Sequence, residues 1–119
     1  MADIKLGVVE SNFANIIWEN APLTTRQLVD LCQERLNWKR TTTYTVLKKL
    51  CERGIFAVQD SVVTAQISKS QFYTLQSEQF VQEHFAGSLP AFIAAFTAGS
   101  TPSKKELDEI KKLIDSIGE

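Results

Sequence analysis

Histidine occurs once in this 119-residue chain and cysteine twice, and no apolar run approaches the ~20 residues of a membrane span. Each scarcity removes a class of function. A metal centre needs three or four clustered ligands, and His84 stands far along the chain from Cys32 and Cys51, so it reads as a surface or interface residue. No Cys/His or Ser/His/Asp arrangement is available for nucleophilic catalysis, and no glycine-rich loop for a phosphate. Nothing therefore speaks for an enzyme, a metal or a bound cofactor. The opening MADIKLGVVESNF lacks the long apolar core of a secretory leader, so the protein is expected in the cytoplasm. There the two cysteines, each inside a helical pattern, read as small buried hydrophobes, with a disulfide the lesser alternative.

Charge of one sign is scarce too. The net charge is −1, which argues mildly against a nucleic-acid partner. Its distribution is uneven, however. Residues 1–69 hold nine lysines and arginines against seven acids, whereas residues 70–119 hold four lysines against seven acids. A mildly basic front and an acidic back suggest an anion-binding module joined to a different one. With 44% hydrophobic and 23% charged residues, the chain has an ordinary globular composition and room for one domain or two small ones.

What is present is a succession of helix signals. Residues 1–9 have no clear period and read as a flexible lead-in. Ser11 can cap a helix to about Glu19, with Phe13, Ile16 and Ile17 on one face and Trp18 beside them. Asn20-Ala21-Pro22 breaks it, and Leu23 follows as a short extended link. Thr24 and Gln27 have capping-box spacing for a helix from Thr25 to about Arg35, with Leu28, Leu31 and Cys32 buried. After the connection Leu36 to Lys39, the stretch WKRTTTYTVLKKLCERG, Trp38 to Gly54, reads as a longer helix. Thr41 or Thr42 is expected as its N-cap, and Gly54 as its left-handed stop. Then Ile55–Gln59 and Val62–Ile67 are rich in β-branched residues and separated by Asp60-Ser61, the pattern of a two-stranded hairpin. Two helices around a short turn, then a hairpin, give the layout of a winged helix-turn-helix.

The helix at Trp38–Gly54 carries the functional reading. At 100° per residue, Thr43, Val46, Leu47 and Leu50 share one arc, and Thr41, Thr42, Thr45, Lys48, Lys49 and Glu52 gather opposite. The bland reading is a capped helix with a solvated lysine face, and Trp18 and Trp38 as core. The sharper one places the polar face in a groove of double-stranded DNA. Hydroxyls at a helix N-terminus suit phosphate oxygens, lysines one turn on reach phosphates or guanine edges, and Arg26, Lys39 and Arg40 flank the groove.

Beyond residue 69 the pattern is helical again. Ser68 and Gln71 open a helix to about Ala86, stopped by Gly87. Ser88 caps one from Leu89 to about Ala98, ended by Gly99. Ser103 and Glu106 open the last, to about Ile117, stopped by Gly118. Phe72, Leu75, Phe80, Leu89, Phe92, Ile93, Phe96, Leu107, Ile110, Leu113 and Ile114 form a large apolar load for a small piece of chain. A second copy covering it, in a two-fold dimer, is the economical expectation; the alternative is packing back on residues 1–69. The expected organisation is a mainly α chain with a small β wing: a DNA-binding domain over 1–69 and a helical dimerisation domain over 70–119.

The strings NIIWEN, TTRQLVDLCQERLNW and TTTYTVLKKLCERGIF, with the tail FIAAFTAGSTPSKKELDEIKKLIDSIGE, resemble the penicillinase-repressor (BlaI/MecI/CopY) family from about Glu10 to the end. The resemblance implies a homodimeric winged-helix repressor on a palindromic operator. It assigns DNA contacts to Thr42, Thr45 and Lys49, and puts Tyr44 where the family often has a base-reading glutamine or arginine. Arg40 stands where a proline is frequent, and the wing VQDSVVTAQI lacks the family's basic and glycine residues. A regulatory protease cuts β-lactam-responsive members at an Asn-Phe bond; the matching place here is about Ala95-Phe96, without the asparagine. Copper-responsive members carry clustered C-terminal cysteines, and none follows Cys51 here. A different class, a winged-helix adaptor that binds protein and not DNA, is favoured by the near-neutral charge and by Asp60 at the wing tip.

Overall fold

Residues 5–117 are described by the structure, a computed structural model. The order is α1 (Val8–Asn20), β1 (Leu23–Thr24), α2 (Thr25–Leu36), α3 (Arg40–Glu52), β2 (Phe56–Gln59), β3 (Val62–Ala65), α4 (Lys69–Phe85), α5 (Leu89–Gly99) and α6 (Lys104–Ile117). This is a winged helix-turn-helix followed by a helical region. Contacts divide the chain into two compact units, residues 1–77 and 78–119. The division falls beyond the expected residue 69 because the first turns of α4 belong to the first unit: Phe72 is fully buried in that unit's core.

In the first unit α1 begins earlier than Ser11. Gly7 is its N-cap, the Glu10 carboxylate accepts from the Gly7 N–H at 3.3 Å, and Ser11 N–H already donates to Gly7 O at 2.9 Å. The Glu10 carboxylate thus satisfies the Gly7 N–H, and glycine, which has no side-chain oxygen, leaves the other first-turn donors without a cap bond. The lead-in expected over residues 1–9 is thus helical from Val8, and residues 1–4 lie outside the described residues. Phe13, Ala14, Ile16 and Ile17 bury one face of α1, and Phe13 stacks on Trp38 with centroids 5.3 Å apart. The Thr24–Gln27 capping box forms with both bonds present, at 2.9 and 3.0 Å. Asn37 ends α2 in the left-handed conformation, φ 56°. That turn carries the chain into α3 within three residues.

The sheet has three strands, not two. The link at Leu23 pairs as β1 along β3, Leu23 opposite Val63 and Thr24 opposite Val62, giving the order β1-β3-β2. Two residues carry too little periodicity to announce a strand. The hairpin strands are shorter than expected, joined by Asp60 and Ser61 at φ 52° and 62°, the two positive values that a tight primed turn needs.

Trp18 ties these parts together. Its ring lies 5.4 Å from Phe56 of β2 and 5.4 Å from Phe72 of α4, and its indole N–H donates to Ile67 O at 3.1 Å. One side chain of α1 therefore fixes the wing and the start of α4 on the same core.

In the second unit the signals at Ser88 and Ser103 cap as expected. The stop after α4 starts one residue before Gly87: Ala86 at φ 49° precedes Gly87 at φ 80°. Gly99 is the last helical residue of α5, with Ser100 the extended cap, so it does not act as a left-handed stop. Gly118 lies outside the described residues. No helix among the described residues is long and apolar enough to cross a membrane.

Removing the Trp18 ring should leave a cavity and an unpaired carbonyl together. Trp18→Ala is expected to cost about 3–5 kcal/mol of unfolding free energy in urea titrations, and to loosen the wing as judged by amide exchange in β2.

Candidate nucleic-acid interface

The rotation of α3 is set by what it buries. Thr43, Leu47 and Leu50 are at most 3% exposed. The Thr43 hydroxyl donates to Lys39 O at 3.3 Å, which lets a polar side chain sit in the core, and it also meets the Cys32 thiol. Burial pushes the thiols of both Cys32 and Cys51 up, and both are free. With that side fixed inward, Arg40, Thr41, Thr42, Thr45, Lys48, Lys49 and Glu52 are all exposed.

The start of α3 differs from expectation. Lys39 is the N-cap and makes no side-chain cap bond, so Thr41 and Thr42 sit inside the first turn instead of capping it. Their hydroxyls engage no other described residue. Thr45 is different: its hydroxyl donates to Thr41 O at 2.8 Å. Its proton is committed within the helix, so Thr45 presents lone pairs outward and suits a donor on a partner better than a phosphate oxygen.

Tyr44 is held rather than free. Its phenol oxygen is hydrogen-bonded by the Thr25 side chain at the start of α2, and the Arg40 guanidinium carbon lies 5.5 Å from its ring centroid. The Thr25 hydrogen bond, helped by Arg40, holds the phenol below its ordinary value against an opposing desolvation. Thr25 was not anticipated as a site residue; nineteen positions separate it from Tyr44, and no local spacing announces the pair.

The wing closes on the same corner. Thr25 N–H donates to Ser61 O at 3.0 Å, so the hairpin tip is docked on the N-terminus of α2. A hollow of about 590 Å³ there is lined by Arg26, Asp30, Arg40, Tyr44 and Ser61. Asp60 is exposed at the tip.

Arg35 pairs with Glu19 at 3.1 Å, and Arg53 with Glu10 at 3.5 Å. Arg26, Lys39, Arg40, Lys48 and Lys49 make no ion pair among the described residues. The cations paired internally lie away from α3's outer face; the five on or beside it make no such pair, and neither do Lys69 and the four lysines of α6. No group of His, Cys, Asp and Glu suited to a metal ion is present among the described residues.

The residues expected at a dimer contact divide into two sets. Phe72 is a correction: it is spent inside the first unit, 0% exposed against Trp18. Leu75, Leu89, Ile93, Phe96, Leu107, Ile110, Leu113 and Ile114 are all exposed, and α5 and α6 bury no residue at all. Phe92 is half-buried, 5.6 Å from Phe85 in a small ring cluster that continues to Phe80 and His84. The Ala95–Phe96 bond lies inside α5, so a protease would need that helix unwound.

The Thr25–Tyr44 bond is directly testable. Because the folded phenol is depressed, its phenolate forms at lower pH than in a free tyrosine. Thr25→Val, in a Tyr73→Phe background, should move the Tyr44 titration back up, read by ultraviolet difference absorbance.

Two comparisons bear on this arrangement. The penicillinase-repressor family profile matches residues 6–116. The chain is also similar to the penicillinase repressor of Bacillus licheniformis, 20% identical over 110 residues that cover 89% of this chain and 86% of that one. A match across both units, and not merely the helix-turn-helix, places the chain in the penicillinase-repressor family.

Proposed function

We propose that the protein is a DNA-binding transcriptional repressor that acts as a homodimer on a palindromic operator. The observation that carries this is the row of cations without internal ion pairs around an α3 that buries Thr43, Leu47 and Leu50 on its other side. Thr41 and Thr42 offer hydroxyl protons to phosphates at the N-terminal end of α3, while Lys48 and Lys49 reach phosphates or guanine edges one to two turns on. Arg26, Lys39 and Arg40 add sequence-independent attraction. Tyr44 contributes its ring, since its hydroxyl is engaged with Thr25. Residues 1–69, with the first turns of α4, would form the DNA-binding part, and the remaining helices the dimerisation part.

Pairing of two copies is supported by α5 and α6. Leu107, Ile110, Ile114 and Ile117 recur at spacings of three and four along α6 and are 40–72% exposed. Such a stripe on a 14-residue helix is unfavourable in water and complementary to itself across a two-fold axis. Half-sites would then lie about one DNA turn, ~10 bp, or a multiple apart.

Selection of bound duplexes from a random pool by the purified protein should return a palindrome. Lys49→Ala should weaken binding to it across sequences and reduce the salt slope by about one. Unchanged affinity would remove α3 from the groove, and mild salt dependence with no sequence preference would favour a protein-binding adaptor. Ile114→Asp, at a position 61% exposed in the single chain, should leave the fold intact and halve the mass found by sedimentation equilibrium.

A further inference from the structure

Between α3 and the wing lies a second hollow, of about 310 Å³, with a nearly apolar lining. Tyr44, Leu47, Lys48 and Cys51 form one wall, and Val58 of β2 the other. The four helical residues are spaced i, i+3, i+4, i+7, a single stripe along the flank of α3 next to its exposed face. Val58 is two residues from Phe56 on the same side of β2, and opposite Val63 in the register. Phe56 and Val63 are at most 1% exposed, yet Val58 is 43% exposed. It is an apolar residue on the core-facing side of the strand, placed just beyond where the core ends. Thr25 also borders the hollow, but it is engaged with the Tyr44 phenol. The Lys48 ammonium is left as the free cation at the rim.

We propose that this cleft reads thymine, taking the C5-methyl group against Val58 and the Tyr44 ring while Lys48 meets the adjoining phosphate. The inference rests on the DNA-binding reading above and adds base specificity to it. Of the base edges in the major groove, only thymine presents a methyl group; the donors and acceptors of the other edges find no partner at Val58, Leu47 or the Tyr44 ring, the apolar part of this lining. A guanine or adenine edge pushed against Val58 would lose its water without a replacement hydrogen bond. The anionic backbone beside each base matches Lys48 at the rim, so one nucleotide meets both features of the cleft. The wing then takes part through its inner side, where Val58 stands, and its acidic tip need not touch the DNA.

The test uses the full-length protein and the duplex recovered from the random pool. Each thymine of one half-site is replaced in turn by deoxyuridine, which removes the methyl and nothing else. Binding is followed by fluorescence anisotropy. At one or two positions the affinity should fall about four-fold, the ~0.8 kcal/mol of one buried methylene. Val58→Thr, which keeps the shape and replaces a methyl by a hydroxyl, should bind the thymine duplex more weakly and narrow the thymine–deoxyuridine difference at those positions. Equal binding of thymine and deoxyuridine at every position overturns the assignment and leaves DNA binding standing. A preference left at full size in Val58→Thr also overturns it, because Val58 then takes no part in reading the methyl. Recovery of no sequence from the pool defeats the DNA-binding reading itself.

Discussion

Everything proposed for the outer face of α3 depends on the burial of Thr43, Leu47 and Leu50. A helix has one rotational freedom against its core, and three buried positions remove it. Turning α3 by a quarter would expose Leu50 and bury Lys48 or Lys49 without a carboxylate, a cost of several kcal/mol. The core thus acts on the face it does not touch: with those three side chains inward, the exposed threonines and lysines have nowhere else to point. Trp18 performs a related service for the wing. By packing at a tilt against Phe56 and Phe72 and donating to Ile67 O, it fixes β2 relative to the helices, and so fixes where Val58 stands.

Features announced by local chemistry were legible in the sequence. The capping boxes at Thr24/Gln27 and Ser68/Gln71 and the cap at Ser88 each satisfy first-turn donors with side chains three residues away at most. The turn at Asp60-Ser61 was readable for a similar reason, since aspartate and serine are common where a hairpin reverses. Features set by tertiary contact were not. Nothing in Leu23-Thr24 signals a strand until β3 lies beside it. Phe72 has the same apolar chemistry as Leu75, and only the packing of Trp18 separates the core residue from the exposed one. The Thr25–Tyr44 bond joins two helices and so escaped any reading of spacing. The start of α3 was misplaced because three successive threonines suggest a cap, whereas Lys39 holds that place with no side-chain bond.

The second unit poses the opposite problem: its helices were easy to place, and their surroundings were not. Single exposed leucines are ordinary on a soluble protein, but two successive helices without one buried residue are not. A helix that buries nothing within its own chain gains little beyond its local hydrogen bonds, and at 11 and 14 residues that gain is marginal in water. The order of α5 and α6 therefore argues for a surface that completes them. The Phe80, Phe85 and Phe92 rings supply only a partial substitute, because Phe80 itself remains 47% exposed.

Net charge is a poor guide to this protein because it averages over pairs that have already formed. Arg35 and Arg53 are answered by Glu19 and Glu10, which removes two cations and two acids from any outside partner's view. What a phosphate responds to is the charge within about 10 Å of it, the screening length at moderate salt. Around α3 that local count is dominated by Arg26, Lys39, Arg40, Lys48 and Lys49, with Asp30, Glu52 and Asp60 as the opposing charges. All three acids are exposed, and Asp60 lies at the tip of a hairpin held down on α2 by the Thr25–Ser61 bond. The hairpin, residues 56–65, carries no lysine or arginine and supplies no cationic contacts of its own. On the DNA-binding proposal, the wing's contribution comes from shape and from Val58, beside the cations of α3.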